Sequence, residues 1–93
     1  MKGDLVNLDR ATLRALADEG NEQALDRLAD LADAHGDLEE LSELLDEGSM
    51  HAGHLLTVRA VAAGDVLELQ RVWDAGCEEA GDELRRLLAA QGE

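Results

Sequence analysis

Residues 37–64 read DLEELSELLDEGSMHAGHLLTVRAVAAG, and the reading of this stretch decides the fold. Its apolar residues make two stripes of helical period: Leu38, Leu41, Leu44 and Leu45 before Gly48, then Ala52, Leu56, Ala60 and Ala63 after Ser49. Gly48 stands where a helix ends on a left-handed residue, and Ser49 is a good N-cap for the helix that follows. The stretch is therefore one pair of helices joined by a two-residue turn. The pattern repeats on both sides. Gly20, Gly36, Gly48, Gly64, Gly76 and Gly92 are separated by 16, 12, 16, 12 and 16 residues, so a unit of 28 residues occurs three times, as 9–36, 37–64 and 65–92. Eight positions are identical in all three units: Asp9/Asp37/Asp65, Leu13/Leu41/Leu69, Asp18/Asp46/Asp74, Gly20/Gly48/Gly76, Ala24/Ala52/Ala80, Leu28/Leu56/Leu84, Ala34/Ala62/Ala90 and Gly36/Gly64/Gly92. A fixed period with glycine punctuation marks a stack of supersecondary units.

The spacing predicts short first helices near Arg10–Glu19, Leu38–Glu47 and Val66–Ala75, and longer second helices near Glu22–His35, Met50–Ala63 and Glu78–Gln91. Asp37 with Glu40, and Asp65 with Glu68, have capping-box spacing. Because 28 is four heptads, the period also suits a continuous coiled coil, but glycine every 12 to 16 residues, each followed by a capping residue, opposes it. The expected fold is all-α: an αα-hairpin solenoid of three 28-residue repeats and six helices, in a single domain spanning 1–93. Gly53 and Gly81 share one repeat position inside the second helix, where glycine costs about 1 kcal/mol relative to alanine. They suggest close backbone approach between the two helices of a hairpin, which Leu25 in the first unit does not share. Residues 1–8 lie outside the period, and Leu5, Val6 and Leu8 are placed to cap the first hairpin or to fray.

The pattern Asp-Leu-Glu-Glu-Leu-x-x-Leu-x-Asp-x-Gly, then x-x-x-Ala-x-x-x-Leu and a closing Ala-x-Gly-Asp, resembles the short helical repeats of tetratricopeptide-like type, similar to those in actinobacterial proteins of unassigned function. The likeness covers Asp9 to Gly92. It implies a right-handed superhelix of helix pairs and a role in binding proteins, with no catalytic residues to carry over.

Composition narrows the function. Ninety-three residues with one aromatic (Trp73) and no proline leave a core of Leu, Ala and Val, thin enough to make self-association an expectation. The net charge of -14 is spread as -4, -5 and -4 over the three units. Uniform acidity excludes a nucleic-acid phosphate backbone as ligand and suits either solubility or a basic partner. The single Cys77 excludes an internal disulfide and suits a reducing compartment. No long apolar run or signal-peptide pattern is present, so the sequence reads as cytoplasmic, without membrane association.

Where the three copies disagree, function is sought. Five positions on the second helix carry Glu22, Gln23, Asp26, Arg27 and Asp30 in the first unit, and Glu78, Glu79, Asp82, Glu83 and Arg86 in the third. The middle unit has Met50, His51, His54, Leu55 and Val58 there, and no acidic residue from Ser49 to Ala63. These five form the candidate interaction patch, for a protein partner or a homodimer; the alternative is a middle helix more enclosed than its neighbours. His51 and His54 lie one turn apart, which suits a pH-responsive contact better than a metal with only two ligands. No metal or cofactor is expected.

The preceding helix is the opposite case. Asp37, Glu39, Glu40, Glu43, Asp46 and Glu47 put six carboxylates and no base into eleven residues. Glu39, Glu40, Glu43 and Glu47 are the candidate docking face for a basic protein segment. Cys77 replaces the N-cap residues Asn21 and Ser49. A thiol at a helix N-terminus is a candidate nucleophile, but the adjoining Glu78 and Glu79 oppose the thiolate, and no base and orienting group accompany it. Trp73, aligned with Ala17 and Leu45, is a core or end plug. The expectation is a non-enzymatic protein-interaction module.

Overall fold

The computed structural model describes residues 8–91, and among them there are six helices and no strand. These are α1 (Arg10–Asp18), α2 (Glu22–Ala34), α3 (Leu38–Asp46), α4 (Met50–Ala63), α5 (Val66–Asp74) and α6 (Glu78–Gln91). Four of the expected helices end one residue early, because Glu19, His35, Glu47 and Ala75 are C-caps whose N–H still bonds back into the helix. The proposed cap at residues 1–8 lies outside the described residues except for Leu8, which packs against the core.

Each link between helices is built the same way. At the α3–α4 turn, the N–H of Gly48 donates to Leu45 O at 2.9 Å and that of Ser49 to Leu44 O at 2.9 Å. This pair of bonds is a Schellman closure, and it needs the positive φ of 111° found at Gly48. The Ser49 side chain at once accepts from Ala52 N, at 3.0 Å, and so caps α4. Asp9, Asn21, Asp37 and Asp65 cap α1, α2, α3 and α5 likewise. Only half of each expected capping box forms. The Asp37 and Asp65 N–H groups go to Ala32 O and Ala60 O of the preceding helix, while Glu40 and Glu68 bond to Arg10 and Arg71. Asp9 is held below the usual carboxylate range by the Thr12 N–H.

Three of the four shared apolar positions lie in the core, and the fourth, Ala34/Ala62/Ala90, is exposed. Leu13, Leu41, Leu69, Ala24, Ala52, Ala80, Leu28, Leu56 and Leu84 are all buried. Helices pack mainly within pairs (α1 on α2, α3 on α4, α5 on α6), then α2 on α3 and α4, and α4 on α5 and α6. The two mid-helix glycines have a different cause from the one expected. A Cβ on Gly81 would lie 2.5 Å from the Trp73 ring, and one on Gly53 would lie 3.0 Å from Cys77 Sγ and 3.1 Å from Leu45. Side chains, rather than backbone, fill the space. Across the second and third hairpins the pairs are thus Leu45 with Gly53 and Trp73 with Gly81, so a larger residue on one helix is met by a smaller one on its mate.

The Trp73–Gly81 packing and the Asp9 cap each have a measurable consequence. Gly81→Ala should destabilise by about 1–2 kcal/mol in urea unfolding, overpacking against Trp73 outweighing the gain of about 1 kcal/mol in helix propensity. In a Trp73→Ala background the same change should stabilise, and destabilisation there would contradict the packing given. Asp9, whose folded carboxyl is lowered from 3.8, contributes stability above that value and loses it as pH falls through the lowered one. The stability difference between wild type and Asp9→Asn should therefore shift against the wild type as pH is taken from 5 to about 2.

Candidate functional site

Helix α4 lies between α2 and α6, and both neighbours are rich in carboxylates. That placement gives the acid-free stretch an internal reason. Towards α2, Ser49 Oγ donates to Asp26 at 3.0 Å, His51 Nε2 meets Asp30 at 2.5 Å, and Arg59 Nε donates to Asp33 at 2.7 Å. A second Arg59 nitrogen reaches Asp33 O at 2.7 Å. Towards α6, His54 Nδ1 meets both Glu79 oxygens at 2.9 and 3.0 Å. An acidic residue on the flanks of α4 would add repulsion beside these carboxylates, whereas donors join the helices.

The five patch residues therefore divide by role. Met50 (56 % exposed), Val58 (50 %) and His54 lie on the outer side of α4. His51 is half-buried against Asp30, and Leu55 is half-buried against the core. The two histidines do not act as a pair, since one turns to α2 and the other to α6. Among the described residues no group of three or more His, Cys, Asp or Glu is placed to hold a metal. Val61, 37 % exposed, extends the outer strip and was missed. Its signal was present in the spacing, because 50, 54, 58 and 61 recur at one helical face. Between α2 and α4 lies a cleft of about 260 Å³ lined by Glu22, Leu25, Asp26, Gly48, Met50 and His51.

The four acidic docking residues of α3 also divide. Glu40 and Glu47 are taken by Arg10 and Arg14 of α1, while Glu39 and Glu43 are exposed. Glu47 first, and then Asp18, raise the Arg14 guanidinium above its ordinary value. Half of the expected basic-segment face is thus engaged inside the chain. Cys77 is buried at 4 % exposure, with its Sγ 3.7 Å from Thr57 Oγ1 and in the space left by Gly53. Trp73 lies over Gly81 with the Arg85 guanidinium 5.3 Å from its ring centre. No helix among the described residues is long and apolar enough to cross a membrane.

No known protein family matches the chain, no curated protein matches it, and no solved structure matches it.

Ser49 is buried and performs two tasks, capping α4 and holding Asp26 of α2. Ser49→Ala should cost about 1–2 kcal/mol in chemical unfolding, the upper part of the usual cap range. A loss below about 0.3 kcal/mol would mean that neither the cap nor the link to Asp26 contributes.

Proposed function

We propose that this chain is a non-enzymatic protein-interaction module, a short right-handed αα-hairpin solenoid of three repeats (9–36, 37–64, 65–92) that makes contact through the outer side of α4. The architecture is supported by the eight shared positions, by the same pair of backbone turn bonds at each link, and by helix contacts that run from each pair to the next. Its right-handed sense follows from the tetratricopeptide resemblance. A reducing cytoplasmic location is proposed on the single free thiol of Cys77.

One observation carries the contact reading. Met50, Val58 and Val61 are exposed on a helix with no carboxylate, in a chain of net charge -14. Isolated exposed apolar residues are ordinary, but an acid-free apolar strip on so acidic a chain is a place where another surface can approach. A second copy is the simplest occupant. Its approach brings like charges together, so self-association through this strip should be weak and should strengthen with salt.

Light scattering over a range of concentrations, at low and high salt, tests this. The expected result is a mass rising above 10.0 kDa at high concentration. The rise should grow with salt, disappear in Val58→Glu and persist in Glu43→Gln. Val58 is preferred to Leu55 for the substitution because Leu55 also packs on the core. Association untouched by Val58→Glu would place the contact elsewhere on the chain.

A further inference from the structure

The geometry points to a second kind of occupant for this face: a basic amphipathic helix of another polypeptide, its apolar side on Met50, Val58 and Val61 and a lysine or arginine side chain in the cleft between α2 and α4. The inference rests on the reading of α4 as a contact face and names its partner.

The size of the strip comes first. Fourteen residues of α4 at about 1.5 Å each give a length of about 21 Å, and one helix face is about 10 Å wide. The strip thus offers about 200 Å², against the roughly 800 Å² per partner of a stable interface. A firm contact must therefore spread onto α2 and α6. Those helices present Glu22, Asp26 and Asp30 on one side and Glu78, Glu79 and Asp82 on the other. For a second copy of this chain, the spread brings carboxylate towards carboxylate. For a helix with a row of leucines flanked by lysines or arginines, the same spread brings cation to carboxylate while the leucines cover the strip.

The cleft supports the choice. Its lining combines two carboxylates, Glu22 and Asp26, with the apolar side chains Leu25 and Met50. A lysine or arginine needs that combination, with apolar walls for its methylene stem and an anion for its head. Among the described residues neither Glu22 nor Glu78, across the strip, forms an ion pair. By contrast, Arg59 at the far end of α4 is occupied by Asp33 and offers a partner no free cation.

The test uses the full chain and a labelled 18-residue helical peptide of leucine and lysine, with leucines on one face, followed by fluorescence anisotropy. A peptide of the same composition in scrambled order is the control. The amphipathic peptide should bind, and should bind less tightly as salt rises, the opposite of the self-contact. Val58→Glu should weaken it at least about tenfold, and Glu22→Gln about threefold. The sign at Val58 is decisive. General attraction of a cationic peptide to an acidic protein would make Val58→Glu bind equally well or better, because the variant is more acidic. Either that result or equal binding of the scrambled peptide overturns the proposal. Circular dichroism of Val58→Glu, a half-exposed site, should match wild type; Val58→Ala, expected to weaken binding less, provides the second variant. If the peptide fails to bind while Val58→Glu abolishes self-association, the basic helix is rejected and the α4 face stands. If Val58→Glu changes neither, both readings fall.

Discussion

A chain that ends one helix and begins the next within two or three residues must satisfy the last carbonyls and the first amides together. The rest of this structure depends on that constraint. The glycine at each turn takes the left-handed conformation that sends two N–H groups back to the finished helix, and at four of the five turns the side chain just after it (Asn21, Asp37, Ser49 or Asp65) receives an N–H from the new one. So short a connection leaves two helices little choice but to fold back on each other, and the apolar stripes then meet. Asp37 and Asp65 show how tightly the two tasks are merged. Each gives its own N–H to the helix behind and its carboxylate to the helix ahead.

Electrostatics is the second organising force. A net charge of -14 on 93 residues repels itself, and four of the arginines join neighbouring helices, while Arg27, Arg85 and Arg86 pair within their own. Arg10 and Arg14 reach from α1 to α3, Arg71 from α5 to Ser42 of α3, and Arg59 from α4 to α2. Exposed pairs of this kind contribute little singly, roughly 0–1 kcal/mol each. Their placement decides pairing more than strength: α4, flanked by two acidic helices, carries donors and apolar groups in place of acids.

Much of this was legible beforehand. Helix number and near-complete boundaries followed from apolar period and glycine spacing, since both reflect local backbone demands that act the same way in all three units. Among the shared positions, Asp9/Asp37/Asp65 became caps, Gly20/Gly48/Gly76 became turns, and the Leu13, Ala24 and Leu28 sets became buried core for the same reason, while Asp18/Asp46/Asp74 and Ala34/Ala62/Ala90 are exposed. The candidate site was legible only in part. That α4 differs from α2 and α6 could be read by comparing copies, but the comparison could not tell which of Met50, His51, His54, Leu55 and Val58 face outwards. His51 and Leu55 turn inwards because α2 and the core lie beside them. Gly53 and Gly81 misled as well. Their purpose depends on the bulk of Leu45 and Trp73 on the facing helix, and that pairing needs the hairpin's three-dimensional register.

The sequence by itself determined where each helix starts and stops and which residues are apolar at helical spacing, because caps and turns are decided within a few residues of chain. Tertiary structure alone decided how equivalent positions differ. Leu88 is 50 % exposed where its counterparts Ala32 and Ala60 are buried, and Arg85 is exposed where Ala29 and Thr57 are buried. The physical reason is that burial depends on what lies beside a helix, and among the described residues α2 and α4 each have a further pair packed on them whereas α6 does not.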